Sequence, residues 1–219
     1  MKCDLCGERE ARYTCVGCKR NVCASCYRPL LGLCTGCAPM GPPDSEGRAD
    51  LRCFVRSCIK FGDFVLVSGM KSDYYVDVKE LITEPAPLEL LGKEIGVWCS
   101  GYTALAGVEL GAVPLVVSTA LYSNKPYVMI RKEKKEHGTG SEYVGRIEGK
   151  HFCVIEDVTT TGESALRACG IIRKNGGSVD RVITVVDREE GATDLLGKNS
   201  IELIRLFRIG EFRDGSLSI

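Results

Sequence analysis

At the centre of this 219-residue chain stands the stretch Phe152-Cys153-Val154-Ile155-Glu156-Asp157-Val158-Thr159-Thr160-Thr161-Gly162-Glu163-Ser164. Its apolar, β-branched beginning predicts a buried strand, and the Ala165-Leu166-Arg167-Ala168 that follows predicts a helix. Two adjacent carboxylates and a loop of hydroxyls with one glycine lie between them. The stretch therefore predicts a strand, an acidic tip, a phosphate-sized loop and a helix.

Each part of this stretch suits a ribose phosphate. Backbone N–H groups at a helix N-terminus bind anions, because they lack helical partners and the helix dipole favours negative charge. Carboxylates one step earlier accept hydrogen bonds from sugar hydroxyls or help to hold a hydrated Mg²⁺. A solvated strand-to-helix turn capped by Ser or Thr is the alternative, and the whole pattern favours the ligand site.

The composition predicts one ordinary globular domain with a small appendage. Hydrophobic residues make up 44% of the chain, which is enough for a real core. Because 29 basic residues balance 29 acidic ones, no global field attracts nucleic acid or a membrane. The N-terminus is charged and rich in cysteine rather than secretory, and no apolar run approaches a membrane span. We expect a cytoplasmic protein without membrane association.

The N-terminal cysteines predict two structural zinc ions. Eight of the 13 cysteines form four Cys-x-x-Cys pairs. Four thiolates complete a tetrahedral zinc shell, so eight imply two Zn²⁺ ions. Disulfides do not fit a cytoplasmic protein, and redox chemistry would not need four copies of the motif. The predicted ligands are Cys3, Cys6, Cys15, Cys18, Cys23, Cys26, Cys34 and Cys37.

The pairing of these ligands has two possible arrangements. The short gap between Cys18 and Cys23 resembles B-box or RING-like cross-braced fingers, in which the first and third pairs share one ion and the second and fourth pairs share the other. Sequential pairing is the alternative. The other cysteines lack paired spacing and are expected to be small core residues: Cys53, Cys58, Cys99, Cys153 and Cys169.

Three regions are expected along the chain. Residues 1–38 form the zinc-binding module, which has few large apolar residues and depends on the roughly 10–16 kcal/mol that zinc supplies to such modules. Residues 39–48 break every periodicity and read as a linker. Residues 49–219 form the main domain. The module has six basic residues against three acidic ones, so contact with nucleic acid or protein is an alternative to a plain solvated surface.

The main domain is predicted to be a mostly parallel α/β domain with helices on both faces. Apolar spacing predicts a helix from Ala49 to about Phe61, and residues 63–79 predict a hairpin around a Ser-Gly turn. Strands and helices then alternate to about residue 207. Tyr74 and Tyr75 are either a base-stacking platform or ordinary strand aromatics. Residues 131–142, charged and ending in glycines, predict a flap that closes over an anion; a solvated charge run is the alternative.

These motifs together resemble the orotate phosphoribosyltransferases, in an archaeal-like form, within the type I phosphoribosyltransferases. The motif around Glu156-Asp157 specifies only the superfamily, whereas Arg-Lys-Glu-x-Lys-x-His-Gly at residues 131–138 is particular to the orotate enzymes. The resemblance rests on four stretches: Lys60-Phe61-Gly62-Asp63-Phe64-Val65-Leu66 with Ser68-Gly69 and Ser72 to Asp77; Arg131-Lys132-Glu133 with Lys135, His137 and Gly138; Glu156-Asp157; and Asp187-Arg188-Glu189-Glu190-Gly191.

The resemblance implies a type I phosphoribosyltransferase fold and a role for each matching residue in binding phosphoribosyl pyrophosphate. Glu156 and Asp157 would meet the ribose hydroxyls, and Glu109-Leu110-Gly111 would form the loop beneath the pyrophosphate. The 5′-phosphate would be held by Thr160, Thr161, Gly162, Glu163 and Ser164, and the pyrophosphate by Arg131, Lys132, Lys135 and His137.

The resemblance also implies the reaction and the assembly. Arg188 would pair with the carboxylate of orotate, and the backbone at Tyr74-Tyr75 would read the pyrimidine edge. The reaction would need Mg²⁺, with Lys135, His137 and Asp157 as its catalytic residues, in a homodimer whose flaps serve each other's sites. Familiar members of the family have Lys where this chain has Val67, and Lys71 is the nearby candidate to replace it.

The sequence thus predicts an orotate phosphoribosyltransferase with an accessory zinc module. A second hypothesis is a regulator that senses a nucleotide with this fold and binds nucleic acid or protein through the finger. A third is a ComF-like protein, which also joins a cysteine finger to this fold. The cationic flap with His137 favours the enzyme, because a pure binder has little need of it.

Overall fold

The computed structural model describes residues 1–28, 33–34, 45–65, 71–132 and 141–213. Four predicted positions therefore lie outside the described residues: Cys37, Val67, Lys135 and His137. The predicted Ser-Gly turn of the hairpin and the central part of the flap lie outside them as well.

The N-terminal module consists of very short strands. β1 (Tyr13–Thr14) pairs with β2 (Asn21–Val22), and β3 (Tyr27–Arg28) pairs with β4 (Leu33–Cys34), both antiparallel. A 3-10 turn at Ala24–Cys26 precedes β3. Strands of two residues supply little cohesion by themselves.

The main domain alternates helices and strands. A helix and an antiparallel hairpin come first: α1 (Ser45–Ser57), β5 (Ile59–Val65) and β6 (Lys71–Val76). The remaining elements are α2 (Val78–Leu81), α3 (Pro85–Trp98), β7 (Ala104–Val108), α4 (Ala112–Ser123), β8 (Tyr127–Ile130), β9 (Tyr143–Val144), β10 (His151–Thr159), α5 (Glu163–Lys174), β11 (Ser178–Asp187), α6 (Ala192–Lys198), β12 (Glu202–Arg208) and α7 (Gly210–Arg213).

A six-stranded sheet in the order β12-β11-β10-β7-β8-β9 forms the centre of this domain. All neighbouring pairs are parallel except β8 and β9, which are antiparallel. The mostly parallel α/β architecture is confirmed. Strand β10, the predicted centre of the chain, pairs with β7 on one side and β11 on the other.

Two apolar clusters cover the two faces of the sheet. Phe152 and Val154 of β10 belong to the cluster that contains α5 and α6 residues such as Cys169 and Leu196. The alternate residues Cys153 and Ile155 belong to the cluster beneath α1, α3 and α4. Because successive side chains of a strand point to opposite faces, a strand buried on both faces needs apolar residues at nearly every position. The helices on both faces are confirmed.

Three local expectations need correction. Helix α1 begins at Ser45, inside the predicted linker, and ends at Ser57 rather than near Phe61. Gly47 costs a helix about 1 kcal/mol, but the burial of Leu51 and Val55 in the same helix outweighs this cost. Pairing of Ile59–Phe61 with Tyr74–Val76 turns the expected last helical turn into a strand. Cys53 is exposed rather than buried, whereas the other four unpaired cysteines are buried as expected.

None of the described helices is both long enough and apolar enough to cross a membrane.

Candidate active site

Three loops meet at one edge of the sheet. Loop 109–111 follows β7, loop 160–162 follows β10, and loop 188–191 follows β11. Because these strands are parallel neighbours, their carboxyl ends lie at the same edge, which is where open α/β sheets bind ligands. The first loop contains a cis peptide bond between Glu109 and Leu110. Gly111 lies so close to Asp157 that a Cβ atom at Gly111 would overlap the Asp157 carboxylate.

The carboxylate pair at the end of β10 is buried. The Ser164 hydroxyl donates a hydrogen bond of 3.0 Å to Glu156 Oε1. Asp157 Oδ2 accepts no hydrogen bond from the described residues, although Lys79 Nζ lies 3.4 Å away as a charge contact. Burial, together with the neighbouring Asp157 charge, raises the pKa of Glu156 from 4.5 to about 8. A proton on Glu156 near neutral pH lets the carboxyl group donate as well as accept a hydrogen bond.

This pKa shift predicts a pH-dependent stability. Because the folded protein binds the Glu156 proton more tightly than the unfolded chain, the stabilisation is complete below about pH 4.5 and is lost as pH rises through about 8. Glu156→Gln imitates the protonated group at every pH. We therefore expect the variant to match the wild type near pH 4.5 and to exceed its free energy of unfolding at pH 9. The difference is up to about 5 kcal/mol, because the pKa rises from 4.5 to about 8 and each pKa unit corresponds to about 1.4 kcal/mol.

Denaturant unfolding at several pH values measures this difference. Glu163→Gln is the matched control, because Glu163 is exposed at the start of α5 and its substitution should change stability by no more than about 0.5 kcal/mol. A Glu156→Gln effect that is equal at pH 5 and pH 9 would contradict the prediction.

The loop after β10 leaves the N-terminus of α5 open. Gly162 is the N-cap, with a φ of +86°, and no side chain caps the helix. A Cβ at Gly162 would also press on Ala192, at 3.1 to 3.2 Å, so both the backbone and the space favour glycine. The alternative prediction, a turn capped by a Ser or Thr side chain, is therefore wrong. Thr160 and Thr161 flank a set of N–H groups that can receive an anion.

Asp187 organises the third loop. It is fully buried at the end of β11 and accepts hydrogen bonds from the Thr159 hydroxyl, at 3.2 Å, and from the Glu189 amide, at 3.0 Å. Its other oxygen accepts a bond of 3.2 Å from Arg205 Nη1. The Arg188 amide in turn donates to the Thr159 carbonyl at 2.9 Å. These bonds hold loop 188–191 against the end of β10.

Arg188 and Tyr74 form the side of the site next to the hairpin. Arg188 Nε donates to the Tyr74 hydroxyl at 3.0 Å, and Arg188 Nη2 lies 2.8 Å from Glu190 Oε1. Tyr74 is buried, and burial raises the pKa of its hydroxyl. Tyr75 is exposed, and its ring makes a tilted contact with Phe64. The two tyrosines therefore differ: Tyr74 supports Arg188, and only Tyr75 offers an open ring.

The first residues of the charged segment reach the same edge. The Lys132 amide donates to Glu109 Oε1 at 3.0 Å, which ties the segment to the loop after β7. Arg131 donates its amide to the Glu142 carbonyl at 2.8 Å and accepts a bond of 2.7 Å from Arg167 on its own carbonyl. Lys71, by contrast, is exposed at the start of β6, and its register partner is Val65. The described contacts do not join Lys71 to the other candidate residues.

The N-terminal thiols gather into two clusters. Sulfur atoms of Cys3, Cys6, Cys23 and Cys26 lie within 4.8 Å of one another, as do those of Cys15, Cys18 and Cys34. The first and third Cys-x-x-Cys pairs thus share one cluster, and the second pair shares the other with Cys34. This is the cross-braced arrangement. Amides of Cys18 and Cys34 donate to Cys15 Sγ and lower the pKa of that thiol to about 6, which favours the thiolate that binds metal.

The sequence did not single out Lys79, Asp187, Arg205 or Glu190 as parts of the site. Lys79 carries no pattern of its own and becomes relevant only because α2 packs near β10. Asp187 follows a buried strand next to an arginine, and that position was the available signal for it. Arg205 is recognisable only from its contact with Asp187. Glu190 lies in the quoted stretch Asp187 to Gly191, but only its contact with Arg188 gives it a role.

Comparison with known proteins finds relatives that belong to one family. Residues 88–201 match the family model described as phosphoribosyl transferase domain. The chain is 48% identical over 157 residues to the orotate phosphoribosyltransferase of Picrophilus torridus, covering 71% of this chain and 93% of that protein. It is 50% identical over 156 residues to the corresponding protein of Thermoplasma acidophilum, covering 71% and 90%.

A solved structure shows the same fold. The orotate phosphoribosyltransferase of Mycobacterium tuberculosis, in complex with 5-phospho-alpha-D-ribosyl 1-diphosphate, superposes with a TM-score of 0.65 at 27% identity. The superposition covers 76% of this chain and 98% of that one. A segment of this chain therefore has no counterpart in these relatives.

Proposed function

The chain belongs to the phosphoribosyltransferase family, among its orotate phosphoribosyltransferases, and from this we propose how its residues convert orotate and phosphoribosyl pyrophosphate to orotidine 5′-phosphate and pyrophosphate. The observation that carries the proposal is the meeting of a buried carboxylate pair with an uncapped helix N-terminus at one edge of the sheet. The hydroxyls of a ribose phosphate need the carboxylates, and its phosphate needs the free N–H groups of the helix N-terminus.

We assign the sugar phosphate to the end of β10. Glu156 and Asp157 accept hydrogen bonds from the ribose hydroxyls, and loop 160–162 with the first turn of α5 binds the 5′-phosphate. The relative from M. tuberculosis was solved in complex with 5-phospho-alpha-D-ribosyl 1-diphosphate, which supports a ligand of this class. Gly111 lies beneath the pyrophosphate and lets the loop after β7 approach Asp157.

Charge drives the chemistry that we propose. Displacing pyrophosphate from the anomeric carbon builds positive charge on the sugar and negative charge on the leaving group. Arg131, Lys132, Lys135 and His137 stabilise the leaving group, and closure of the flap over it excludes water that would hydrolyse the activated sugar. Arg188 binds the orotate carboxylate.

A magnesium ion is part of the proposal. The Asp157 oxygen that accepts no hydrogen bond from the described residues is a hard donor. Glu156, once it releases its proton, offers more oxygens of the kind that Mg²⁺ prefers. When bound, the ion neutralises charge that develops on the pyrophosphate. Glu156 and Asp157 would hold it, directly or through water.

We also propose two zinc ions in a module that spans residues 1–38. A linker joins it to the catalytic domain, and this linker ends before the predicted residue 48 because α1 begins at Ser45. The two thiol clusters support this, with Cys37 as the fourth ligand of the second site.

The Cys-x-x-Cys pairs bind metal only when reduced, which supports a cytoplasmic location. No feature of the described residues favours the regulator hypothesis, and contact of the module with nucleic acid or protein stays a prediction.

A homodimer completes the proposal. An apolar groove of about 930 Å³ lies between α3 and α4, lined by residues that include Leu88, Val113, Val117, Leu121 and Tyr127. Leu121 and Tyr127 are exposed there, which is unfavourable unless a partner covers them. A second copy of the chain on this face would cover these side chains.

An orotate turnover assay tests the function. Zinc-loaded protein with Mg²⁺ and phosphoribosyl pyrophosphate should consume orotate, seen as a loss of its absorbance, and release pyrophosphate. Lys135→Ala should lower kcat at least about tenfold with a smaller effect on substrate affinity, because the charge acts mainly in the transition state. Lys134→Ala removes the same charge one residue away and should stay within about twofold of the wild type. Unchanged orotate, in a buffer where a known enzyme consumes it, would overturn the proposal.

A further inference from the structure

The Glu190 carboxylate is ion-paired with the Arg188 guanidinium, the group that the proposed function assigns to the carboxylate of orotate. Its Oε1 lies 2.8 Å from Arg188 Nη2. The Arg188 side chain is only 10% exposed, whereas the Glu190 side chain is 32% exposed. The carboxylate therefore stands on the solvent side of the pair and can leave without disturbing the interior.

The Tyr74 hydroxyl completes a closed group of three. Arg188 Nε donates to the Tyr74 oxygen at 3.0 Å, so the hydroxyl proton is free to be donated to Glu190 Oε1 at 3.2 Å. Glu190 Oε1 thus accepts a hydrogen bond from Tyr74 and is ion-paired with Arg188. A carboxylate of a ligand, placed where the Glu190 carboxylate is, would find the same two donors.

Burial and cation–π contacts hold the Tyr74 ring in place. Tyr74 is buried, and the guanidinium groups of Arg188 and Arg213 each lie 4.8 Å from its ring centroid. Arg213 is itself held by Asp73 at 2.8 Å. Cation–π contacts of this kind contribute modestly but fix the orientation of the ring. Glu190 is therefore the more exposed partner of a group whose other two members are packed.

We propose that Glu190 is a resident counter-ion of Arg188, and that the carboxylate of orotate displaces it when the substrate binds. This inference rests on the proposed function, in which Arg188 binds that carboxylate.

The exchange explains how the poorly solvated Arg188 guanidinium is neutralised before the substrate binds. An unpaired Arg188 would be costly, and it would also attract any small anion. Glu190 satisfies it in the free enzyme, and the exchange of one carboxylate for another leaves the local charge balanced. A pyrimidine without a carboxylate cannot take part in this exchange, so it gains nothing from Arg188.

Kinetics of Glu190→Gln test the exchange. Removal of the competing charge should lower KM for orotate about three- to tenfold, with kcat within about twofold of the wild type. The inhibition constant of acetate, measured as a competitor of orotate, should fall by a similar factor. Glu189→Gln is the matched control, because the Glu189 carboxylate accepts from the Gly210 amide at 3.1 Å instead. It should change neither quantity by more than about twofold.

A double variant separates this role from a structural one. In an Arg188→Gln background, Glu190→Gln should no longer alter KM for orotate, because the competition requires the guanidinium. If Glu190→Gln leaves KM and acetate inhibition unchanged, or raises KM, the exchange is refuted while the orotate reaction stands. If the wild type does not consume orotate, the proposed function fails and this inference fails with it.

Discussion

Gly111→Ala should lower kcat/KM for orotate by at least about 100-fold, because the new methyl group overlaps the Asp157 carboxylate. Gly111 has a φ of −64° and a ψ of −39°, so alanine fits the backbone and the loss would come from the contact alone. Either the carboxylate or the loop must move, which separates the groups proposed to bind ribose and pyrophosphate. Overpacking of this kind also costs about 1–3 kcal/mol of stability.

Gly170→Ala is the control for this substitution. Gly170 lies within α5 with no atom near the position of an added Cβ, so alanine should raise stability by up to about 1 kcal/mol and leave turnover unchanged. Steady-state kinetics and thermal unfolding of both variants measure these effects. Activity of Gly111→Ala within threefold of the wild type would show that Asp157 does not need its present position.

Removal of zinc should unfold the N-terminal module while the main domain stays folded. Of the residues buried in the described part of the module, four are thiols (Cys3, Cys15, Cys23, Cys34) and one is Val22. Such a core cannot persist without metal, which contributes about 10–16 kcal/mol in comparable modules. The main domain has two apolar clusters of its own. A zinc chelator should therefore expose residues 1–28 to protease and release two ions per chain, counted by metal analysis.

Paired substitutions distinguish the two arrangements of zinc ligands. Cys6 and Cys26 belong to one cluster, whereas Cys18 belongs to the other. Replacing Cys6 and Cys26 together by serine should remove one ion, and replacing Cys6 and Cys18 together should remove two. Sequential pairing predicts the reverse. Cys53→Ser, at an exposed thiol in α1, should leave both ions bound.

Local order in the chain explains why much of this protein is predictable. The strand, loop and helix of residues 152–174 follow one another directly, so their apolar pattern and their single glycine are sufficient to place the carboxylates before an anion-binding turn. Cys-x-x-Cys spacing likewise brings two thiolates to one ion without help from the rest of the fold. Helix α1 begins at Ser45, four residues before the predicted start at Ala49, and the prediction misses these residues because Gly47 and the neighbouring prolines obscure the first turn.

Other features depend on contacts between distant residues. Lys79 meets Asp157, Tyr74 meets Glu190 across 116 positions, and Gly111 meets Asp157 through the pairing of β7 with β10. An apolar pattern indicates that a segment is a strand, but it does not state which strand becomes its neighbour.

The family, the acidic strand-loop-helix at residues 152–164 and the cysteine module can be recognised from the amino-acid order, because each depends on residues that are close in the chain. Three features required the folded structure: the first and third cysteine pairs share a cluster, burial raises the pKa of Glu156 to about 8, and Glu190 is ion-paired with Arg188. Burial and ion pairing are properties of packed neighbours, and packing brings those neighbours from separate elements of the fold.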